Sequence, residues 1–231
     1  PLLLLLCLAS LSAAELWSVT DSSNKTCIVL DFSSVHFKIN FQNTSYVYDV
    51  SLSKASHTDG SCSEQRDGKA TQRISAEFLP VDSSRQAPWR LSIWFASGDT
   101  EQKNSFRVAD YQLDTASVVG EDKTYAETFT RASGEQASVA WSATDSAAYR
   151  CGSAPLALSS DSLVDFVNMR VLANAQLTTP AFPVNQQYEE CGTADIVPIV
   201  VGACLAGLIV VVLVAYLVGR ARASRQGYAT V

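Results

Sequence analysis

Apolar residues recur at every second position through most of the chain. Val35, Phe37, Ile39 and Phe41 alternate with polar neighbours in VHFKINF; Tyr46, Tyr48, Val50 and Leu52 do so in YVYDVSL, and Ile74, Ala76 and Phe78 in RISAEF. WRLSIWF sets Trp89, Leu91, Ile93 and Phe95 on one face, and MRVLANAQL does the same with Met169, Val171, Ala173 and Leu177. A period of two belongs to strands with one face buried. In CIVLDFSSVHF the apolar parity flips across Ser33-Ser34, which predicts a bulge or a strand break there. Clusters such as TDGSC and ASGDT read as turns between the runs, and no segment carries a helical stripe. The body is expected to be an all-β domain.

Two stretches depart from this alternation by being apolar throughout. PLLLLLCLASLSAA, residues 1–14, holds an h-region of about ten residues followed by the small residues Ser12 and Ala14, a signal-peptide remnant cleaved before Glu15. Neither an initiator methionine nor a basic n-region precedes it, so the chain is read as a precursor lacking its start. The second stretch, Ile196 to Val218, carries no charge. As a helix it is ~34 Å long, enough to span the ~30 Å hydrocarbon core with some tilt. Pro198 falls in its first turn and Tyr216 near its far boundary, positions that suit each residue. Arg220, Arg222 and Arg225 follow at once, while Glu189, Glu190 and Asp195 precede it. The positive-inside rule then places residues 219–231 in the cytosol and residues 15–195 in the lumen. The expectation is a type I membrane protein with one transmembrane helix, residues 196–218, in the lipid bilayer.

Charge and cysteines narrow the class further. All 23 acidic residues but only 14 of the 17 basic ones lie at or before Asp195, leaving that part at −9 and the remainder at +3. A body so acidic repels phosphate backbones, which excludes nucleic acid as a partner. A lumenal domain folds where disulfides persist, and it contains Cys27, Cys62, Cys151 and Cys191. Four cysteines allow three connectivities, among which spacing alone does not choose. If neighbours pair, each loop contributes ~4 kcal/mol through chain entropy. With no C-x₂-C spacing and only His36 and His57 as histidines, zinc is not expected. Cys7 leaves with the signal, and Cys204 lies within the span as a small packing residue. Sequons at Asn24 and Asn43 mark glycosylation sites on the lumenal side.

No catalytic constellation stands out. The sequence lacks G-x-S-x-G, H-E-x-x-H, a Gly-rich phosphate loop and C-x-x-C. A Ser–His–acid site would have to use His36, at a polar position of an alternating strand, or His57, in turn-like KASHTDGS, and both read as surface histidines. Asp161, Asp165, Glu189 and Glu190 read as solvated charge, and Trp17, Trp89, Trp94 and Trp141 as core or cross-strand packing. Neither enzymatic activity nor a cofactor is expected.

The chemistry that remains is in the tail. GYATV fits Tyr-x-x-Φ, with Tyr228 and Val231 as the two anchors and Gly227 before them. In an added strand, positions three apart face opposite ways, so Tyr228 and Val231 would fill two pockets ~10 Å apart. Residues 219–227 reach at most ~30 Å when extended, enough to bring Tyr228 to a coat adaptor on the membrane. Small-x₃-small pairs, Gly202 with Ala206 and Ala203 with Gly207, would let two spans pack closely, so a homo-oligomer formed through the transmembrane helix is expected.

IVPIVVGACLAGLIVVVLVAYLVGRARASRQGYATV resembles the transmembrane and tail segment of the lysosome-associated membrane glycoproteins, the LAMP family, in its Pro-Ile…Gly start, LAGL, AYLVGR and terminal Gly-Tyr-x-x-Φ. LWSVTDSSNKTCIVLDFSSVHFKI, LSIWF…FRVADYQLDT, AAYRC and VNMRVLANAQL…EEC resemble the lumenal domain of the same family. The resemblance implies a β-prism lumenal domain with Cys27–Cys62 and Cys151–Cys191 paired, followed by the single helix. It also implies delivery to late endosomes and lysosomes by clathrin adaptor complexes that read Tyr228 and Val231, with possible cycling through the plasma membrane. The best-known members carry two lumenal domains joined by a Pro/Ser/Thr hinge, with dense glycosylation. This sequence offers one domain and two sequons, so a structural, scaffold or partner-binding role is expected rather than a thick sugar coat. The rival is an endocytic or cell-surface receptor or adhesion glycoprotein internalised through the same motif.

Overall fold

The computed structural model describes residues 15–41, 44–50, 57–80, 87–97, 105–117, 126–133, 141–144, 146–191, 206–217 and 220. The chain divides into two units, Pro1–Cys191 and Gly192–Val231. Within the first, the strands are β1 (Glu15–Thr20), β2 (Thr26–Phe32), β3 (Ser34–Phe41), β4 (Thr44–Val50), β5 (His57–Arg66), β6 (Lys69–Phe78), β7 (Trp89–Ser97), β8 (Phe106–Asp114), β9 (Thr128–Thr130), β10 (Ser142–Ala143), β11 (Ala148–Ala157), β12 (Leu163–Leu172) and β13 (Tyr188–Glu190). They form two sheets. In the first, β12 joins β11 on one side and both β2 and β3 on the other; β1 extends β2, β4 extends β3, and β13 runs parallel to β11. In the second the order is β10-β8-β7-β6-β5, with β9 also on β8.

The parity flip at Ser33 is one third of a larger feature. Buried positions run Ile28, Leu30, Phe32 in β2 and Val35, Phe37, Ile39, Phe41 in β3. In β12 they run Val164, Phe166 and then Met169, Val171; in β11, Tyr149, Cys151 and then Ala154, Leu156. The three flips are aligned. Ser33 N donates to Val167 O at 2.9 Å, and the register pairs Cys151 with Met169 and Ser153 with Val167, which sets Gly152 opposite Asn168. Asn168 takes φ 51°, the left-handed region that asparagine tolerates. The sheet therefore creases along one line through three strands. Its two panels, together with the second sheet, make the three walls of the β-prism.

Aromatic rings fill the space between the walls. Phe37 of β3 stacks on Phe78 of β6 with centroids 4.8 Å apart. Trp89 is fully buried among Phe37, Phe41, Tyr48 and Phe78. Towards the crease, Phe166 meets Phe32 at 5.3 Å and Trp141 at 5.2 Å, and Trp17 meets Phe32 at 4.8 Å. Trp17, Trp89 and Trp141 belong to the core, and Trp94 is buried on the opposite face of β7, in keeping with the expected core or cross-strand packing.

Among the described residues there are two disulfides, in the sequential pairing. Cys27–Cys62 joins β2 of the first sheet to β5 of the second, and Cys151–Cys191 ties β11 to the residue after β13.

Two sequence expectations are corrected. TDGSC, with His57 before it, is not a turn but part of β5. As an edge strand of polar composition, β5 offers no apolar alternation to detect; its Gly60 serves a close approach, since a Cβ there would come within 2.3 Å of Val19 and 2.5 Å of the Arg73 carbonyl. The strand expected over MRVLANAQL stops at Leu172. Asn174, at φ 56°, is drawn to the second sheet instead, its N–H donating to Gln72 Oε1 at 2.9 Å and its side-chain amide to Ser105 O at 2.8 Å. Leu177 then returns as an isolated bridge to Thr26.

Candidate functional sites

Both histidines lie at exposed positions of strands. His36 Nδ1 lies 2.5 Å from Asp49 Oδ1 across the β3–β4 ladder, and its Nε2 lies 3.4 Å from Ser34 Oγ. The order Ser–His–Asp imitates a triad, but the side chains of His36 and Asp49 are 46% and 73% exposed on the outer face of a sheet. The β3 backbone is committed to ladders with β4 and β12, so it offers no amide pair to an oxyanion. His57 is exposed at the start of β5.

The carboxylates singled out from the sequence are structural or peripheral. Ser160 and Asp161, at φ 58° and 54°, form the two-residue turn between β11 and β12, the conformation a type I′ hairpin requires. The Ser153 hydroxyl donates to the Asp165 carboxylate, with Oγ 2.9 Å from each carboxylate oxygen. Glu189 accepts from the backbone and hydroxyl of Thr144, whereas Glu190 pairs with Arg150, whose hydrogen bond holds its carboxyl below the ordinary range. Adjacent in a strand, the two glutamates face opposite ways.

A polar network that the sequence did not reveal crosses the outer face of the second sheet. Glu64 of β5 accepts from Arg73 Nε at 2.9 Å and from Trp94 Nε1 at 3.2 Å. Arg73 also reaches Asp59 and Ser75, and Ser75 bonds Ser92. Arg66 stacks over the Trp94 ring at 4.2 Å and pairs with Asp110 at 2.7 Å. Burial raises the Glu64 carboxyl, but the hydrogen bonds from Arg73 and Trp94 and the charges of Arg73 and Arg66 outweigh it and leave it below its ordinary value of 4.5. A carboxyl lowered in the folded state stabilises above its unfolded value and loses that contribution as pH falls through the folded one. The network is thus expected to be intact at pH 5 as at pH 7. In urea unfolding, Glu64→Gln should sit below wild type by the same margin at pH 7 and 5, and the margin should shrink below pH 4.5. A margin already shrinking between pH 7 and 5 would contradict this.

Of the two sequon asparagines, Asn24 is exposed at φ 57° on the tip of the β1–β2 turn. There Asp21 Oδ1 accepts from the backbone of Ser23 and Lys25 at 2.8 and 2.9 Å. Thr26 of the same sequon is buried against Thr20, with the hydroxyls 3.1 Å apart. Asn43 lies outside the described residues, as do residues 1–14 and Gly227, Tyr228 and Val231, the residues of the expected sorting signal.

In the second unit, residues 206–217 are helical and exposed, and a Cβ added at Gly207 would meet nothing within 4 Å. Among the described residues no helix is long and apolar enough to cross a membrane; residues 196–205 and 218 of the expected span lie outside them.

Comparison with known proteins agrees with both units. Residues 197–229 match the family model for the transmembrane segment of lysosome-associated membrane glycoprotein 2. Lysosome-associated membrane glycoprotein 1 of Gallus gallus is 52% identical over 46 residues, which take in 19% of this chain and 11% of that relative. The fold is similar to crystal structures of three lumenal domains. The membrane-proximal domain of mouse lysosome-associated membrane protein 1 gives a TM-score of 0.57 at 16% identity, covering 78% of this chain and 98% of that one. Human lysosome-associated membrane protein 3 gives 0.55 at 12%, and the membrane-distal domain of mouse lysosome-associated membrane protein 2 gives 0.54 at 15%, each covering 78% of this chain and 99% of its own. At such identities the structural likeness shows the fold; the carboxyl-terminal match is one of sequence. The chain is thus similar to the lysosome-associated membrane glycoproteins in the sequence of its carboxyl-terminal segment and in the fold of its amino-terminal unit.

Proposed function

We propose that the chain is a type I glycoprotein of the lysosomal and late-endosomal membrane with a structural, scaffold or partner-binding role and no enzymatic activity. In this reading residues 15–195 are lumenal, residues 196–218 cross the bilayer, and residues 219–231 present Gly227, Tyr228 and Val231 to clathrin adaptor complexes. What carries it is the match of residues 197–229 to a lysosomal family's membrane segment, continuous with a Tyr-x-x-Φ ending. In this reading the small-x₃-small pairs, Gly202 with Ala206 and Ala203 with Gly207, let two such helices pack closely into a homo-oligomer.

Tyr228→Ala tests the reading, because it removes one of the two side-chain anchors of an added strand and leaves the lumenal fold untouched. Surface biotinylation should show a several-fold higher plasma-membrane pool for the variant, and its overlap with a lysosomal marker should fall. A variant that stays in lysosomes would end the sorting proposal. A wild-type protein found mainly at the plasma membrane would favour the receptor or adhesion reading instead.

A further inference from the structure

A cleft of about 300 Å³ opens beside the β5–β6 turn, lined by Arg66, Lys69, Arg107 and Arg131 together with Asp67 and Asp110. Four cations against two carboxylates leave +2 here, in a part of the chain whose total is −9. The arrangement is built rather than incidental. Asp67 and Gly68, at φ 51° and 75°, make the tight hairpin that brings Arg66 and Lys69 side by side. On β8 the register slips opposite Trp94 and Phe95, whose partners are Asp110 and Val108, so Ala109 is the extra residue of a bulge. Its freed carbonyl accepts from Arg131 Nη1 at 2.7 Å, and the Arg131 guanidinium lies 6.0 Å from the Tyr111 ring centroid. Arg66 is fixed by Trp94 and neutralised by Asp110. Lys69 and Arg107 are exposed, and neither has an ion-pair partner among the described residues.

We propose that this cleft binds a single phosphate- or sulfate-type oxyanion. Arg131 and Arg107 supply guanidinium donors and Lys69 supplies a point charge, the combination that tetrahedral oxyanions select. Because bonds to the Ala109 carbonyl and to Asp110 already hold Arg131 and Arg66, less side-chain freedom is lost on binding than at a loose basic patch. The volume suits the charged group with at most a small carrier, so the group is either free or the head of a sugar or lipid. This site is independent of the sorting reading, since it uses neither the tail nor the membrane segment.

The test uses full-length protein in a neutral detergent, titrated at constant ionic strength with inorganic phosphate and with sulfate and followed by calorimetry. Saturable one-to-one binding is expected. It should weaken about tenfold in Lys69→Gln and again in Arg107→Gln, each removing one charged contact on the surface. Arg150→Gln, which removes a cation outside the cleft, should bind as wild type does. Absent or non-saturable binding, or binding unchanged in the Lys69 and Arg107 variants or lost equally in the Arg150 variant, would overturn the proposal. Parallel titrations with galactose 6-sulfate and with dihexanoyl phosphatidic acid distinguish the sources: tighter binding of one, lost in the same variants, assigns the group to a sugar or a lipid. Equal affinities assign it to the free ion.

Discussion

Trp89→Ala is expected to lower the unfolding free energy by about 3–5 kcal/mol, a large part of the ~5–15 kcal/mol that a domain has in total. Trp89 stands where the two sheets meet. Its ring centroid lies 5.2 Å from Tyr48, 6.4 Å from Phe37 and 6.5 Å from Phe41 on one sheet, and 6.4 Å from its own cross-strand neighbour Phe78 on the other. Truncation opens a cavity that four rings on rigid strands cannot all move to fill. Its indole N–H also donates to Ala116 O at 2.8 Å, holding the segment that leaves β8. Trp89→Phe keeps most of the packing and loses that bond, so a smaller drop, about 1–3 kcal/mol, is expected. Trp17 supplies the control, because its buried indole N–H has no hydrogen-bond partner among the described residues and Trp17→Phe forfeits volume alone. Urea unfolding should rank Trp89→Ala below Trp89→Phe, and Trp89→Phe below Trp17→Phe. A Trp89→Ala drop under about 1 kcal/mol would mean that the walls can close on the gap, and that Trp89 is not the joint between them.

That core was legible because burial on one face forces the apolar alternation that the sequence displays. Phe37, Ile74, Leu91 and Met169 announce themselves by their spacing, and all are buried. Elements whose stability comes from elsewhere were less visible. β5 has no apolar stripe because it is an edge strand held by the β6 ladder and a disulfide, though Asp67-Gly68 between Arg66 and Lys69 was a hairpin signal that would have located its end. The crease could be read only at Ser33, where one stretch of chain carries both strands with their opposite parities. In β12 the flip falls at Asn168, ahead of the stretch whose alternation was traced, and in β11 it is disguised by Gly152 and Pro155. The network around Glu64 joins four strands, and its partners Arg73, Trp94 and Asp59 lie too far apart along the chain for any local pattern to link them. The basic cleft depends on a bulge at Ala109, which leaves no mark in composition. Spacing predicts what a strand buries; it does not predict which polar edges the fold then brings together.

The two disulfides close loops of similar size, with separations of 35 and 40 residues, so chain entropy assigns each the same ~4 kcal/mol. Replacing either pair by serine should therefore lower global stability by similar amounts. The local consequences should differ, because the partner strands differ in what else holds them. β5, freed from Cys27, still pairs along β6 from His57↔Glu77 to Arg66↔Lys69. Residues 188–190, freed from Cys151, keep a three-residue parallel ladder on β11, the Thr144 bonds to Glu189, an exposed pair between Glu190 and Arg150, and the contacts of the Tyr188 ring with Phe182 and Arg150. An exposed ion pair adds little, and a ladder so short is among the first to open. Hydrogen exchange should accordingly show the Cys151→Ser/Cys191→Ser variant losing protection at Ala148, whose amide donates to Gln187 O, and at residue 191, whose amide donates to Arg150 O, with β6 and β7 unchanged. The Cys27→Ser/Cys62→Ser variant should show no such local opening of β5. This bears on the proposed function because Cys191 is the last residue of the amino-terminal unit, and the segment similar to a membrane span begins at residue 197. The second bridge fastens the domain at its carboxyl-terminal end, the end that the proposed topology would tether. If both variants exchange alike throughout, β13 is secured by its side chains, and the bridge has no anchoring role.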